Sequence, residues 1–164
     1  MIDTVVKKQF NAHHCYVCGT KDDDGLHVSF YELQSDRLLG VYHPKAAHGG
    51  YPGVLHGGVT ASLLDEVMAR SYQIKHDDPW GMTANLNIRY LKKIPMLETL
   101  YAVGWIVEDK SKMFYAKGYL TDGKTVFATS EASYMKVYVK ERLHEVGWSL
   151  VLDSHPFQDI ELPL

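Results

Sequence analysis

The spacing of apolar and polar positions changes period twice along the chain. Residues 26 to 33, LHVSFYEL, alternate Leu26, Val28 and Phe30 with His27 and Ser29, as a half-buried strand does. LLGVYH, from 38 to 43, reads as a second strand. A stretch rich in Gly, Pro and His runs from Pro44 to Leu55, and the pattern then becomes helical from His56 onward. Four strand patterns follow. In TANLNIRYL, Leu86, Ile88 and Tyr90 alternate with Asn85, Asn87 and Arg89. LYAVGWIVE is almost wholly apolar, as expected of a central strand covered on both faces. MFYAKGYLTD and TVFATSEASYMKVYV flank Asp122-Gly123, a strong hairpin signal. The segment ERLHEVGW reads as a short helix, and the end of the chain carries no pattern.

Turning each helical residue by about 100° sorts the helix into faces. Thr60, Leu63, Leu64, Val67, Met68 and Ile74 form a broad core stripe. Opposite them lie Gly58, Ala61, Ser62, Asp65 and Ala69, with Tyr72 nearby. Small side chains there let a ligand or another backbone approach, and Asp65 is the one charge among them. Glu66 falls beside Val59 and Arg70, and its i,i+4 spacing from Arg70 reads as a solvated ion pair. Asp65 has no basic residue at that spacing. It is therefore the candidate for chemistry, the alternative being a polar group bonded at a subunit interface.

Two strands, a long helix and four antiparallel strands make an α+β domain in which a curved sheet of about six strands wraps one central helix, the layout of a hotdog fold. With 164 residues, 46% of them apolar, one domain spanning 1–164 can bury a sizeable core; 14–138 form its body and 139–164 a C-terminal extension. A net charge of −3 gives no electrostatic case for nucleic acid or an anionic membrane as partner. No apolar run is long enough to span a bilayer, and the start MIDTVVKKQF lacks a signal-peptide core, so the expected location is cytoplasmic.

The helix start is unusual, because glycine costs roughly 1 kcal/mol in a helix relative to alanine and two occur here, Gly57 and Gly58, after His56. The first N–H groups of a helix lack internal partners and carry partial positive charge. Without a Cβ, Gly57 and Gly58 let a carbonyl oxygen reach those amides, an arrangement that stabilises a developing oxyanion. Gly58 and Asp65 lie about 10 Å apart along the axis, too far to grip one carbonyl. An amide and an acid that meet at one substrate must come from different chains, which predicts a dimer.

Three segments together resemble the hotdog-fold acyl-CoA thioesterases, the superfamily with phenylacetate-pathway and mammalian mitochondrial members. HCYVCGTKDDDGLHVSFY is similar to a Cys-x-x-Cys-Gly opening that leads into the first strand. PGVLHGGVTASLLDE resembles the His-Gly-Gly helix, with the catalytic acid falling on Asp65, and MTANLNIRYLKKIP resembles the next strand, with a threonine near that acid falling on Thr83. The resemblance covers His14 to Val137. It implies a homodimer, often doubled to a homotetramer, with its sites at the subunit interface. There, Gly57 and Gly58 hold the thioester carbonyl and Asp65 either activates water, a role suited to a carboxylate whose pKa burial raises, or attacks directly. His56 orients the loop, bonds the thioester or simply caps the helix. Thr83 holds the water or Asp65, or is a plain strand residue. Asn85 is placed with the substrate, and Arg89, Lys92 and Lys93 form a rim for the phosphates of coenzyme A. Coenzyme A enters as part of the substrate, with no further cofactor and no metal expected.

Two rivals remain. A hydroxyacyl dehydratase matches the loop HPKAAHGGYPGVL faintly, but that class needs a Glu about where Gly58 stands. A non-catalytic acyl-CoA sensing module needs the pocket but not Asp65. Two cysteines, Cys15 and Cys18, make no disulfide framework. His13 and His14 are too close in sequence to complete a zinc tetrahedron, so zinc would require His27, His48 or a second chain, and reduced structural cysteines are the expectation.

Overall fold

A computed structural model describes residues 2–96, 98–139, 150–151 and 160–163. The segment read as a short helix, 141–148, lies outside them. Strands β1 (Ile2–Asp3), β2 (Val5–Lys8), β3 (Asn11–Ala12), β4 (Ser29–Leu33) and β5 (Leu38–Tyr42) precede helix α1 (Gly57–Ser71). After it come β6 (Trp80–Tyr90), β7 (Leu100–Asp109), β8 (Met113–Thr121), β9 (Val126–Val137), β10 (Leu150–Val151) and β11 (Ile160–Glu161).

Seven strands form one antiparallel sheet in the order β2-β4-β5-β7-β8-β9-β6, and α1 lies across one face of it. The added strand relative to the sequence reading is β2. Its run VVKK has no clean alternation, and its residues are half-buried or exposed at the sheet edge, so no periodicity announces it. The strand expected from residue 26 starts only at Ser29, because His27 has a φ of 55° and breaks the extended run. Leu26 and Val28 are still buried, through backbone bonds to Tyr16 and Val17 of the preceding loop.

The predicted helix stripe is the core. Leu63, Leu64, Val67 and Met68 are fully or almost fully buried against Phe30, Leu38, Tyr42, Leu100, Phe114 and Tyr134, each such side chain contributing about 1.5–3 kcal/mol. The helix approaches the sheet closely over Gly104 and Gly118, which face each other in register on β7 and β8. A Cβ on Gly104 would lie 2.8 Å from the Val67 carbonyl oxygen. Tyr72 departs from the wheel: the chain tightens to a 3-10 turn over Tyr72–Ile74, which carries Tyr72 into the core against Phe114, ring centroids 4.3 Å apart. The other face of the sheet carries a smaller cluster of Tyr31, Leu39, Val41, Val103 and Tyr119, covered by Ile160 and Leu162 from the end of the chain. Among the described residues, β6 pairs only with β9, leaving the outer edge of an eleven-residue strand open. Met82, Tyr90 and Leu91 are exposed along it.

Candidate active site

His56 caps α1: its Nδ1 accepts the Gly58 N–H at 2.9 Å, and its carbonyl accepts from Val59 and Thr60. This occupies the Gly58 amide. The Gly57 N–H, first in the helix, has no acceptor within it and stands at an exposed position. The Tyr90 hydroxyl donates to the Gly57 carbonyl at 2.7 Å, tying the end of β6 to the start of the helix.

Asp65 is partly exposed, two turns along. The Thr83 hydroxyl donates to its Oδ1 at 2.9 Å, and the Tyr134 hydroxyl reaches the same oxygen at 3.2 Å and the Asp65 carbonyl at 2.9 Å. Thr83 and Tyr134 are directly paired across β6 and β9. A bulge makes this possible. Between Thr83 and Asn85 the register shifts, so β6 advances two residues while β9 advances one. Strict alternation would put Thr83 on the face of Asn85, Asn87 and Arg89; the extra residue, Ala84, turns it to the helix face with Leu86, Ile88 and Tyr90. Tyr134 is fully buried, and burial followed by the charge of Asp65 pushes its hydroxyl pKa up, so it stays a donor.

The structure brings Asp65 and Thr83 together midway along α1, and His56, Gly57 and Gly58 together at its start. Asn85 joins neither group: past the bulge it points to the outer face of β6, away from Asp65. Arg89, Lys92 and Lys93 are exposed at the end of β6; Lys92 and Lys93 follow Tyr90 and so lie near the helix start, whereas Arg89 turns to the outer face and borders a cavity with Asn87, Trp105 and Lys117. The sequence reading missed Tyr90 and Tyr134. Both fall on core-facing positions of their strands, where an aromatic reads as packing, and only the fold shows where their hydroxyls end.

The expected Glu66–Arg70 pair forms, but it is largely covered rather than solvated. The N-terminal segment covers its side of the helix: the Arg70 guanidinium lies 4.7 Å over the Phe30 ring, and its Nη2 donates to the Phe10 carbonyl at 2.6 Å. Arg70 Nε stands 3.8 Å from Glu66 Oε1. Burial pushes the Glu66 pKa up to about 7 against the pull of Arg70, with the neighbouring Cys15 and Asp65 adding to the rise. A hydrogen bond with the Cys18 thiol, helped by backbone N–H groups of Cys18 and Val17, holds Cys15 below the ordinary thiol range. The same contact, with burial, pushes Cys18 up.

Residues 52–128 match the thioesterase superfamily family model. The acyl-coenzyme A thioesterase THEM4 of Mus musculus is 25% identical over 141 residues, covering 83% of this chain and 60% of the relative. THEM5 of Homo sapiens is 24% identical over 115 residues, covering 70% and 47%. The chain thus spans about half to 60% of the length of these curated relatives. A solved thioesterase superfamily protein superposes with a TM-score of 0.66 at 28% identity, covering 76% of this chain and 61% of that one. The BH2602 protein of Bacillus halodurans, solved with CoA, gives 0.63 at 25% identity, covering 70% and 76%. The sheet wrapped around one long helix is the hotdog fold, and in both sequence and fold the chain is similar to proteins of the thioesterase superfamily.

Proposed function

We propose that the protein is an acyl-CoA thioesterase in which Asp65 activates water at a site completed by a second copy of the chain. The observation that carries this reading is the Asp65 carboxylate, held by two hydroxyls at one oxygen beside an open strand edge. Both hydroxyls meet Oδ1, which leaves Oδ2 for a water molecule. Within one chain the Gly57 amide is eight residues from Asp65, about 12 Å along the helix. Antiparallel pairing of β6 with its copy, centred on Asn87 and with Ala84 bulged out as it is against β9, sets Thr83 of one chain against Tyr90 of the other. The Gly57 amide, tied to Tyr90, then comes beside the partner's acid. This pairing also covers the open edge and its exposed Met82 and Tyr90.

In that site the thioester carbonyl oxygen accepts the Gly57 N–H of one chain at the positive end of α1. Asp65 of the other takes a proton from water as its oxygen bonds to the carbonyl carbon. The tetrahedral intermediate collapses with cleavage of the carbon–sulfur bond, and the proton passes from Asp65 to the departing CoA thiolate. Lys92 and Lys93, past Tyr90 and near the helix start, meet the phosphates of CoA, a ligand present in the Bacillus halodurans structure. The Gly58 amide joins only if the His56 ring turns away. Thr83 and Tyr134 are positioning residues for the carboxylate.

The test is thiol release from short, medium and long aliphatic, benzoyl and phenylacetyl CoA esters by wild type and Asp65→Asn. Release by wild type that the variant loses is the expected result. CoA esters bound but not cleaved by wild type would overturn the catalytic reading in favour of a sensing module.

A further inference from the structure

The CYVCG stretch takes no part in the thioester chemistry, yet it is built with care. Gly19 N–H donates to the Cys15 carbonyl at 2.8 Å, and Cys18 N–H donates to Cys15 Sγ at 3.4 Å. A Cβ at Gly19 would sit 2.4 Å from that carbonyl oxygen, so the turn requires glycine. Asn11 anchors it by donating from Nδ2 to the carbonyls of Cys18 at 2.8 Å and Val28 at 2.9 Å. The loop thus aims two sulfurs at one region and supplies an N–H to one of them.

A third donor comes from the helix. The side-chain ligand atoms of Cys15, Cys18 and Glu66 all lie within 4.8 Å of one another. Zinc bonds of about 2.0–2.3 Å set tetrahedral ligand atoms roughly 3.3–3.8 Å apart, so the three need only a small contraction to share one ion. The histidines that sequence offered as further ligands, His27 and His48, stand outside this group: His27 Nε2 meets the Asp22 carbonyl at 2.6 Å and His48 Nδ1 the Tyr42 hydroxyl at 2.7 Å. Charge also fits. Two thiolates and a carboxylate carry three negative charges, a divalent ion removes two, and Arg70 beside Glu66 balances the last. Arg70 also orients the carboxylate, as partners of metal ligands commonly do. The fourth position opens on a cavity of about 150 Å³ bordered by Gln73, Trp80 and Gly81, roomy enough for a water ligand.

We propose that Cys15, Cys18 and Glu66 bind a borderline-soft divalent cation, zinc by donor preference, which clamps the N-terminal loop onto α1 at the residue next to Asp65. Thiolate donors select against magnesium and calcium. The clamp ties this loop, whose Ala12, Val17 and Cys18 are buried in the core, to the turn of helix that presents the candidate catalytic acid.

The experiment uses the full chain, reduced, treated with chelator and then titrated with zinc or cobalt. One metal per chain is expected, with a thiolate-to-cobalt charge-transfer band, tetrahedral cobalt bands and a zinc-dependent rise in Tm. Cys18→Ser and Glu66→Gln each weaken binding by at least about tenfold; Glu66→Gln keeps the test open should the buried cysteine variant fail to fold. Reduced, folded wild type that takes up no metal overturns the proposal. So does zinc affinity unchanged in Glu66→Gln. A Cys15–Cys18 disulfide in protein that binds no metal once reduced would make the cluster a thiol pair instead, also against it.

Discussion

Replacing Gly57 with proline deletes a single N–H from the first position of α1. Proline is favoured there because its fixed φ suits a helix and the missing donor has no helical acceptor. His56, at φ −63° and ψ 135°, already has the extended conformation that a following proline demands. A Cβ at position 57 comes no nearer than 3.5 Å to the Tyr90 hydroxyl oxygen, an ordinary contact. The fold should therefore survive. If the Gly57 amide holds the developing oxyanion, its loss costs about 3–4 kcal/mol, or roughly 10²–10³ in kcat. Gly57→Ala, which keeps the amide, is the control. Thiol release from the best CoA ester gives kcat and KM, and far-ultraviolet circular dichroism confirms the helix. A folded Gly57→Pro protein with kcat within about threefold of wild type would refute the role of this amide.

Thr83→Val should lower kcat about tenfold, the low end for a bond to a charged group because water can replace an exposed hydroxyl; Thr83→Ser should restore it, and Thr83→Val should add nothing in an Asp65→Asn background. A further loss in that background would mean that Thr83 acts elsewhere. Gly104→Ala should destabilise the fold by about 1–3 kcal/mol in urea unfolding, since its Cβ meets helix backbone at 2.8 Å; unchanged stability would contradict the close helix–sheet approach. In metal-free protein, the raised pKa of Glu66 makes its contribution to stability greatest below its unfolded value near 4.5 and lost as pH rises through about 7. Glu66→Gln should flatten that part of the stability profile between pH 5 and 7.5, and an identical slope would place the titration elsewhere.

Much of this was legible in the sequence because it depends on period. The α1 stripe of Leu63, Leu64, Val67 and Met68, the strands flanking Asp122-Gly123, and the isolation of Asp65 from basic neighbours all follow from spacing. The rest depends on events that break period or cross the chain. One inserted residue, Ala84, reverses the face of Thr83 and separates it from Asn85, and no alternation rule signals a bulge. Glu66 and Arg70 read as surface because the segment that covers them, Gln9 to Cys18, is distant in sequence. Tyr72 misled the wheel because the helix had already tightened to a 3-10 turn. Tyr134 is spaced as a core residue and is one, but its hydroxyl serves Asp65.

The most direct test of the shared site mixes Asp65→Asn chains with Gly57→Pro chains, dissociated and reassembled in equal amounts, and measures thiol release. Each mixed dimer contains one site with both Asp65 and the Gly57 amide intact. Half of the dimers are mixed and each has one whole site of two, so about a quarter of wild-type activity should return from two nearly inactive parents. Activity no higher than the average of the parents, in a sample shown by sedimentation to be dimeric and exchanged, would contradict a site built from two chains.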